Sequence, residues 1–181
     1  TLELPKPAPD FEAYNKKLHA GFNKYPERHK NYLKYKNSSK TTKIDYMPIK
    51  LDIENVSRCN LKCEMCQISS WESFKRGTDM TFEDFKGIID EQYGVYELKI
   101  QGMGEPFLGQ DFIKMAAYAS SKDIWVRTST NATILDKKEN YKRIIDAGVD
   151  EVQNSVDGTT KDTYEKIRIN ASFERLVKNC K

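Results

Sequence analysis

Ile49, Leu51 and Ile53 alternate with Lys50, Asp52 and Glu54. Period-two alternation marks a strand with one buried face, so a first strand is predicted to end near Glu54. The period then changes. Thr81 and Asp84 have the spacing of a capping box, and Phe82, Phe85, Ile88 and Ile89 recur on one face of a helix whose end Gly94 marks. Tyr96, Leu98 and Ile100 predict a second strand. The pattern continues with a second helix at 115–119, a third strand at 124–127, a third helix at 141–147 stopped by Gly148, a fourth strand at 149–154 and a fourth helix at 173–177. Strands separated by helices argue for parallel pairing, because a parallel crossover needs about a dozen residues or more. The expected class is α/β with about four strand–helix units. In such folds ligands gather at the carboxyl ends of the strands, so the loops at 59–66, 102–106, 129–132 and 155–158 are expected to share one rim.

Residues 1–46 read differently. Pro5, Pro7 and Pro9 predict an extended start, Tyr14, Leu18 and Phe22 have helical spacing before Pro26, and the apolar-poor stretch 34–43 reads as a linker. The expectation is a basic amino-terminal arm over 1–46, helical or partly mobile, ahead of a core domain over 47–181. The first fifty residues carry eleven Lys and Arg against five Asp and Glu; the rest carry nineteen against twenty-two. The net charge of +3 hides this split. Such an arm suits an anionic partner, or is a merely solvated face.

A hydrophobic fraction of 38% with 31% charged residues supplies a core and rules out a wholly disordered chain. No stretch approaches the ~20 apolar residues of a helical span, and the first ten residues lack the plan of a secretory signal. A cytoplasmic protein with no membrane partner is expected.

In that compartment thiols stay reduced, and three of the four cysteines, Cys59, Cys63 and Cys66, fall within eight residues. A structural zinc site wants four protein ligands, and the remaining candidates Cys180, His19 and His29 are all distant in sequence. An iron–sulfur cube accepts three soft thiolates and leaves one iron open for substrate or cofactor. Cys180 shares an apolar stripe with Phe173 and Val177 and is expected to be a buried thiol, and Trp71 and Trp125 are expected to be packing residues.

The run Cys59-Asn60-Leu61-Lys62-Cys63-Glu64-Met65-Cys66 resembles the signature of the radical S-adenosylmethionine (radical SAM) enzymes. Gly102-Met103-Gly104-Glu105-Pro106 is similar to that family's Gly-Gly-Glu-Pro loop, and Thr130-Asn131-Ala132 to its Thr-Asn-Gly. Ser155-Val156-Asp157-Gly158, followed by Arg168, resembles the branch that often carries a further carboxy-terminal cluster region called SPASM. Four motifs in order cover 47–181.

This resemblance implies a partial (β/α)6 barrel, an open relative of the TIM barrel. It implies that Cys59, Cys63 and Cys66 hold a [4Fe-4S] cluster whose open iron binds S-adenosylmethionine. Reductive cleavage would then yield a radical that takes hydrogen from substrate. Gly102 and Gly104 would let backbone approach the cofactor, and Glu105 would accept from its ammonium. Arg168 would take its carboxylate, with Ser155 nearby. Met65 would lie beside adenine and Asn131 on the ribose side, although Ala132 would resist the positive φ that the usual glycine permits. The family usually has six units, so a portion of a longer protein is expected. The implied substrate is a peptide first, then a sugar or nucleotide, with an electron donor such as flavodoxin or ferredoxin. The alternatives are a zinc-binding nucleic-acid module and an iron–sulfur electron-transfer protein.

Overall fold

The structure, a computed structural model, describes residues 10–39 and 42–181. The expected extended start at Pro5, Pro7 and Pro9 lies outside the described residues. In chain order the elements are α1 (Phe11–Lys24), α2 (Pro26–Asn37), β1 (Lys50–Ile53), β2 (Lys62–Cys63), α3 (Gln67–Ser70), α4 (Phe82–Glu91), β3 (Glu97–Ile100), α5 (Phe112–Ser121), β4 (Trp125–Thr130), α6 (Asn140–Asp146), β5 (Glu151–Asn154), α7 (Lys161–Ile167), β6 (Arg168–Ile169) and α8 (Phe173–Asn179). Four strands form one parallel sheet in the order β1-β3-β4-β5, with Ile53 beside Ile100, Ile100 beside Thr128, and Thr130 beside Asn154.

Alternation sorts the sheet into two faces of opposite chemistry. Ile53, Leu98, Ile100 and Val126 turn to one side, where Phe85 and Ile89 of α4 and Phe112, Met115 and Ala119 of α5 complete the core. Each large apolar side chain fully buried there contributes about 1.5–3 kcal/mol. The capping spacing works as the sequence suggests: Thr81 accepts a hydrogen bond from the Asp84 amide at 3.1 Å and opens α4. Gly94 lies beyond the end of α4, where a Cβ would stand 2.3 Å from the Asn31 amide nitrogen, so it makes room for α2.

The other face is polar and cross-linked. Glu97 accepts from Lys50 at 2.5 Å and from Arg127 at 3.1 Å, and Arg127 reaches Glu151 at 2.7 Å. Burial alone would push the Glu97 carboxyl up, but the Lys50 ammonium, with Tyr14 and Arg127, outweighs it and holds the pKa below the ordinary value. This ladder joins all four strands.

α1 and α2 cover the amino ends of the strands. The Tyr14 hydroxyl donates to Glu97 at 3.0 Å and its ring meets Trp125 edge-on, while Phe22 stacks with His29 at 4.8 Å and packs on Tyr96. Helix α2 runs on to Asn37, into the stretch read as a linker, and Lys40 and Thr41 of that stretch lie outside the described residues. Lys17 pairs with Asp150, Lys24 with Asp123, and Arg28 donates to the Lys122 carbonyl. Part of the arm's positive charge is therefore directed at the sheet's own loops. With the amino ends covered, the carboxyl ends remain as the open rim. Among the described residues no helix is long and apolar enough to cross a membrane.

Candidate functional site

At that rim lies a cleft of about 680 Å³, a size usual for a small-molecule site. Cys59, Cys63, Cys66, Met65, Gly102, Gly104, Glu105, Asn131, Ser155 and Arg168 all line it. Apart from Arg168, these residues come from the four segments that follow β1, β3, β4 and β5, which parallel pairing brings to one end of the sheet.

The loop after β3 is seated on the cysteine loop. A Cβ on Gly104 would lie 2.1 Å from the Val56 carbonyl oxygen and 2.7 Å from that of Arg58, and the Glu105 amide donates to the Arg58 carbonyl at 2.9 Å. The close approach that requires glycine is thus between two loops of the chain itself. Gly102 similarly faces Glu54, whose carboxylate accepts from the Met103 amide at 2.7 Å.

Glu105 is 2% exposed. Its carboxylate accepts from the Thr130 hydroxyl at 2.7 Å and the Asn131 amide at 2.9 Å. Burial pushes its pKa up, because these donors are neutral and cannot offset the lost solvation as the cations around Glu97 do. A folded-state pKa above the unfolded one makes this group's share of stability complete below about 4.5, and lost as pH rises through the folded value. Glu105→Gln removes that slope. The expected outcome is that wild type exceeds the variant in urea midpoint by more at pH 4.5 than at pH 7; an equal or smaller gap in acid would contradict the assignment.

Asn131 lines the cleft, and its side-chain amide reaches the cysteine loop. It donates to Asn60 at 3.0 Å and to the Cys59 sulfur at 3.7 Å. Ala132, fully buried, adopts φ 59 despite its Cβ. Its amide donates to Thr130 at 3.1 Å and the Asn179 side chain donates to its carbonyl at 2.7 Å, contacts that hold the left-handed turn.

Arg168 is 8% exposed, pairs with Asp157, and leaves its Nε buried without a partner. It belongs to β6, which pairs antiparallel with β2 so that Arg168 lies directly opposite Cys63. No periodic signal announces that two-residue bridge. Asp157, at φ 59, lines the cleft with Arg168. Met65 is 57% exposed and so is no core residue. Trp125 is buried as expected, whereas Trp71 is exposed. Cys180 is only half-buried, packs against the core and accepts from Asn154 at 3.5 Å.

Outside the quoted motifs the cleft is also lined by Gln67, at the start of α3, and by four residues on or just beyond the strands: Lys99, Gln101, Ser129 and Gln153. Their signal is present as the polar half of the strand alternation, since all four stand on the face opposite the core.

Three thiols form the donor set. Burial pushes the Cys59 and Cys63 thiols up; N–H donors from Leu61 and Asn131 oppose this at Cys59, and the Arg168 charge opposes it at Cys63. A coordinating metal reverses such a penalty by drawing off the proton, and N–H donors to sulfur tune bound iron–sulfur clusters. Among the described residues no three His, Cys, Asp or Glu side chains converge on a point suited to a single ion. By donor chemistry, three soft thiols on one short loop fit a cluster that keeps one iron for another ligand better than a closed tetrahedral site that needs four protein ligands.

Several known proteins are similar to this chain. GTP 3',8-cyclase of Aliarcobacter butzleri is 33% identical over 145 residues, covering 75% of this chain and 41% of that protein. The mycofactocin maturase MftC of Mycolicibacterium smegmatis is 32% identical over 133 residues, covering 72% and 33% respectively. The chain thus spans less than half the length of these curated relatives. The crystal structure of Streptococcus suis SuiB bound to S-adenosylmethionine superposes with a TM-score of 0.59 at 19% identity, over 74% of this chain and 30% of that one, a likeness of fold. The Radical SAM superfamily profile matches residues 54–181, more than half the length, and with its cysteine loop, its parallel sheet and its rim cleft the chain belongs to that superfamily.

Proposed function

We propose that this chain is the cofactor-binding part of a radical SAM enzyme in which Cys59, Cys63 and Cys66 hold a [4Fe-4S] cluster and Met65, Gly102, Gly104, Glu105, Asn131, Ser155 and Arg168 form the S-adenosylmethionine site. The observation that carries the reading is the meeting, in one cleft, of three thiols with a buried carboxylate and a buried guanidinium. Held by these three cysteines, a reduced cluster would supply the electron for reductive cleavage of S-adenosylmethionine, and so for radical hydrogen abstraction from substrate.

The chain's own residues do the positioning. Glu105 lacks a cationic hydrogen-bond partner in a buried place, and the cofactor's ammonium supplies one with a charge-assisted bond. Arg168, steadied by Asp157, brings its guanidinium to the cleft as the partner for the methionyl carboxylate. Asn131, itself in the cleft wall, also fixes Cys59 and Asn60, a supporting role of the kind whose loss costs about 10–100-fold in metal affinity or activity. Lys99, Gln101, Ser129 and Gln153 form the strand wall of the same cleft, where the hydrogen-donating part of a polar substrate would sit.

Peptide maturation is the first substrate reading, supported by the likeness of Ser155-Val156-Asp157-Gly158 to the SPASM-bearing branch and by the mycofactocin maturase relative. Sugar or nucleotide modification is second, and the GTP cyclase relative favours the nucleotide. The complete polypeptide, reconstituted anaerobically with iron and sulfide, is expected to release 5'-deoxyadenosine from S-adenosylmethionine under dithionite. A colourless protein with stoichiometric zinc, or a cluster protein that leaves the cofactor intact, would overturn the proposal.

A further inference from the structure

A second concavity, of about 430 Å³, lies behind the wall of the cofactor cleft. Cys59 and Asn131 line the first and Asn60 the second. The Asn131 amide touches both sides, donating to the Cys59 sulfur at 3.7 Å and to Asn60 at 3.0 Å. One layer of side chains therefore separates this outer concavity from a cysteine sulfur.

Its chemistry is divided between floor and rim. The floor is apolar, from Phe107, Ile113 and Ile134. The rim carries Lys137, Lys138 and Arg143, all exposed, and among the described residues no carboxylate lines it. None of these three cations forms a salt bridge among the described residues. Of the neighbouring acids, Asp136 is occupied by Arg175 at 2.8 Å, and Glu139, exposed beside Lys138, does not line the concavity. The other outer concavity at the cysteine loop, beside Cys63 and Cys66, is lined by both Lys62 and Glu64, so its charge cancels.

We propose that the concavity bounded by Asn60, Ile134, Lys137, Lys138 and Arg143 is the docking surface for an acidic one-electron carrier protein. The inference rests on the cluster reading above. One electron must reach a cluster bound by Cys59, Cys63 and Cys66 for each cofactor cleaved; the carrier loses it and the cluster gains it. The cofactor cleft is closed to a protein donor once cofactor and substrate fill it, which leaves the outer side of the Cys59 loop. An apolar centre ringed by charge is the usual anatomy of a docking patch, and unpaired cations raise the encounter rate of an acidic partner by about 10–10³-fold at low salt.

The test uses the reconstituted complete polypeptide and compares reductants. Reduced flavodoxin, an acidic carrier, is one arm; dithionite, a small anion, and reduced methyl viologen, a small cation, are the others. Lys137→Glu/Lys138→Glu is expected to slow flavodoxin-driven 5'-deoxyadenosine release by roughly tenfold or more at low salt. It should also flatten the salt dependence, while both small-reductant rates stay within about twofold. Lys137→Gln/Lys138→Gln should give an intermediate loss, which covers the case in which charge reversal harms cluster assembly. Unchanged flavodoxin rates in both variants, or equal losses with every reductant in both, would overturn the docking site while leaving the cluster reading intact. Failure of the wild type to cleave the cofactor with dithionite would overturn the cluster reading itself, and this inference with it.

Discussion

Replacing any one of Cys59, Cys63 and Cys66 with alanine is expected to abolish the brown colour of the reconstituted protein and its release of 5'-deoxyadenosine, with the fold retained. Loss of a mere supporting group around a metal costs about 10–100-fold, so loss of a ligand should exceed that and leave no turnover above background. The fold survives because the main core is elsewhere: Phe85, Leu98, Ile100, Phe112 and Val126 form it on the far face of the sheet, and no cysteine of the trio belongs to it. Cys63 meets Arg168 through the backbone bridge of β2 and β6, which alanine preserves. Circular dichroism and the melting temperature of the metal-free proteins should therefore match wild type closely. A variant that keeps its iron and its activity would remove that cysteine from the ligand set.

The second large effect is on the fold and the site together. Gly104→Ala would place a methyl group 2.1 Å from the Val56 carbonyl oxygen, a contact that must be relieved by moving backbone. Overpacking of this kind costs about 3 kcal/mol, which in a chain of this size lowers the melting temperature by roughly 6–12 °C. The movement also pulls the Glu105 amide off the Arg58 carbonyl and shifts the Glu105 carboxylate, so cofactor binding should fall as well. Gly87→Ala is the control. Gly87 lies exposed within α4, and an added methyl group would meet nothing within 4 Å, so alanine there should raise stability by about 0.5–1 kcal/mol. Equal melting temperatures for the two variants would show that the loops can part at no cost.

Most of the sheet is legible because its signal is local. Alternation at Ile49, Leu51 and Ile53 is visible within six residues, and it returns in the parallel register of Ile53, Ile100 and Thr128. Legibility fails where contacts are long in sequence and short in space. Ala132 is expected to resist a positive φ, yet it adopts one, because hydrogen bonds with Thr130 and Asn179 hold the turn. No local pattern marks the position of Arg168; pairing with Cys63 and Asp157 places it in a two-residue strand at the cleft. Lys99, Gln101 and Gln153 carry no motif, and they line the cleft only because the strands stand side by side.

The sequence by itself determined the class of fold and the trio of thiols, since strand period, crossover length and ligand spacing are each written within a few consecutive residues. Tertiary structure alone decided how the site is held: Asn131 against Cys59, the Gly104 loop seated on the carbonyls of Val56 and Arg58, and the Lys50–Glu97–Arg127–Glu151 ladder beneath. Those contacts join residues far apart in the chain, where hydrogen bonding and close packing leave no periodic trace for a reader of the sequence.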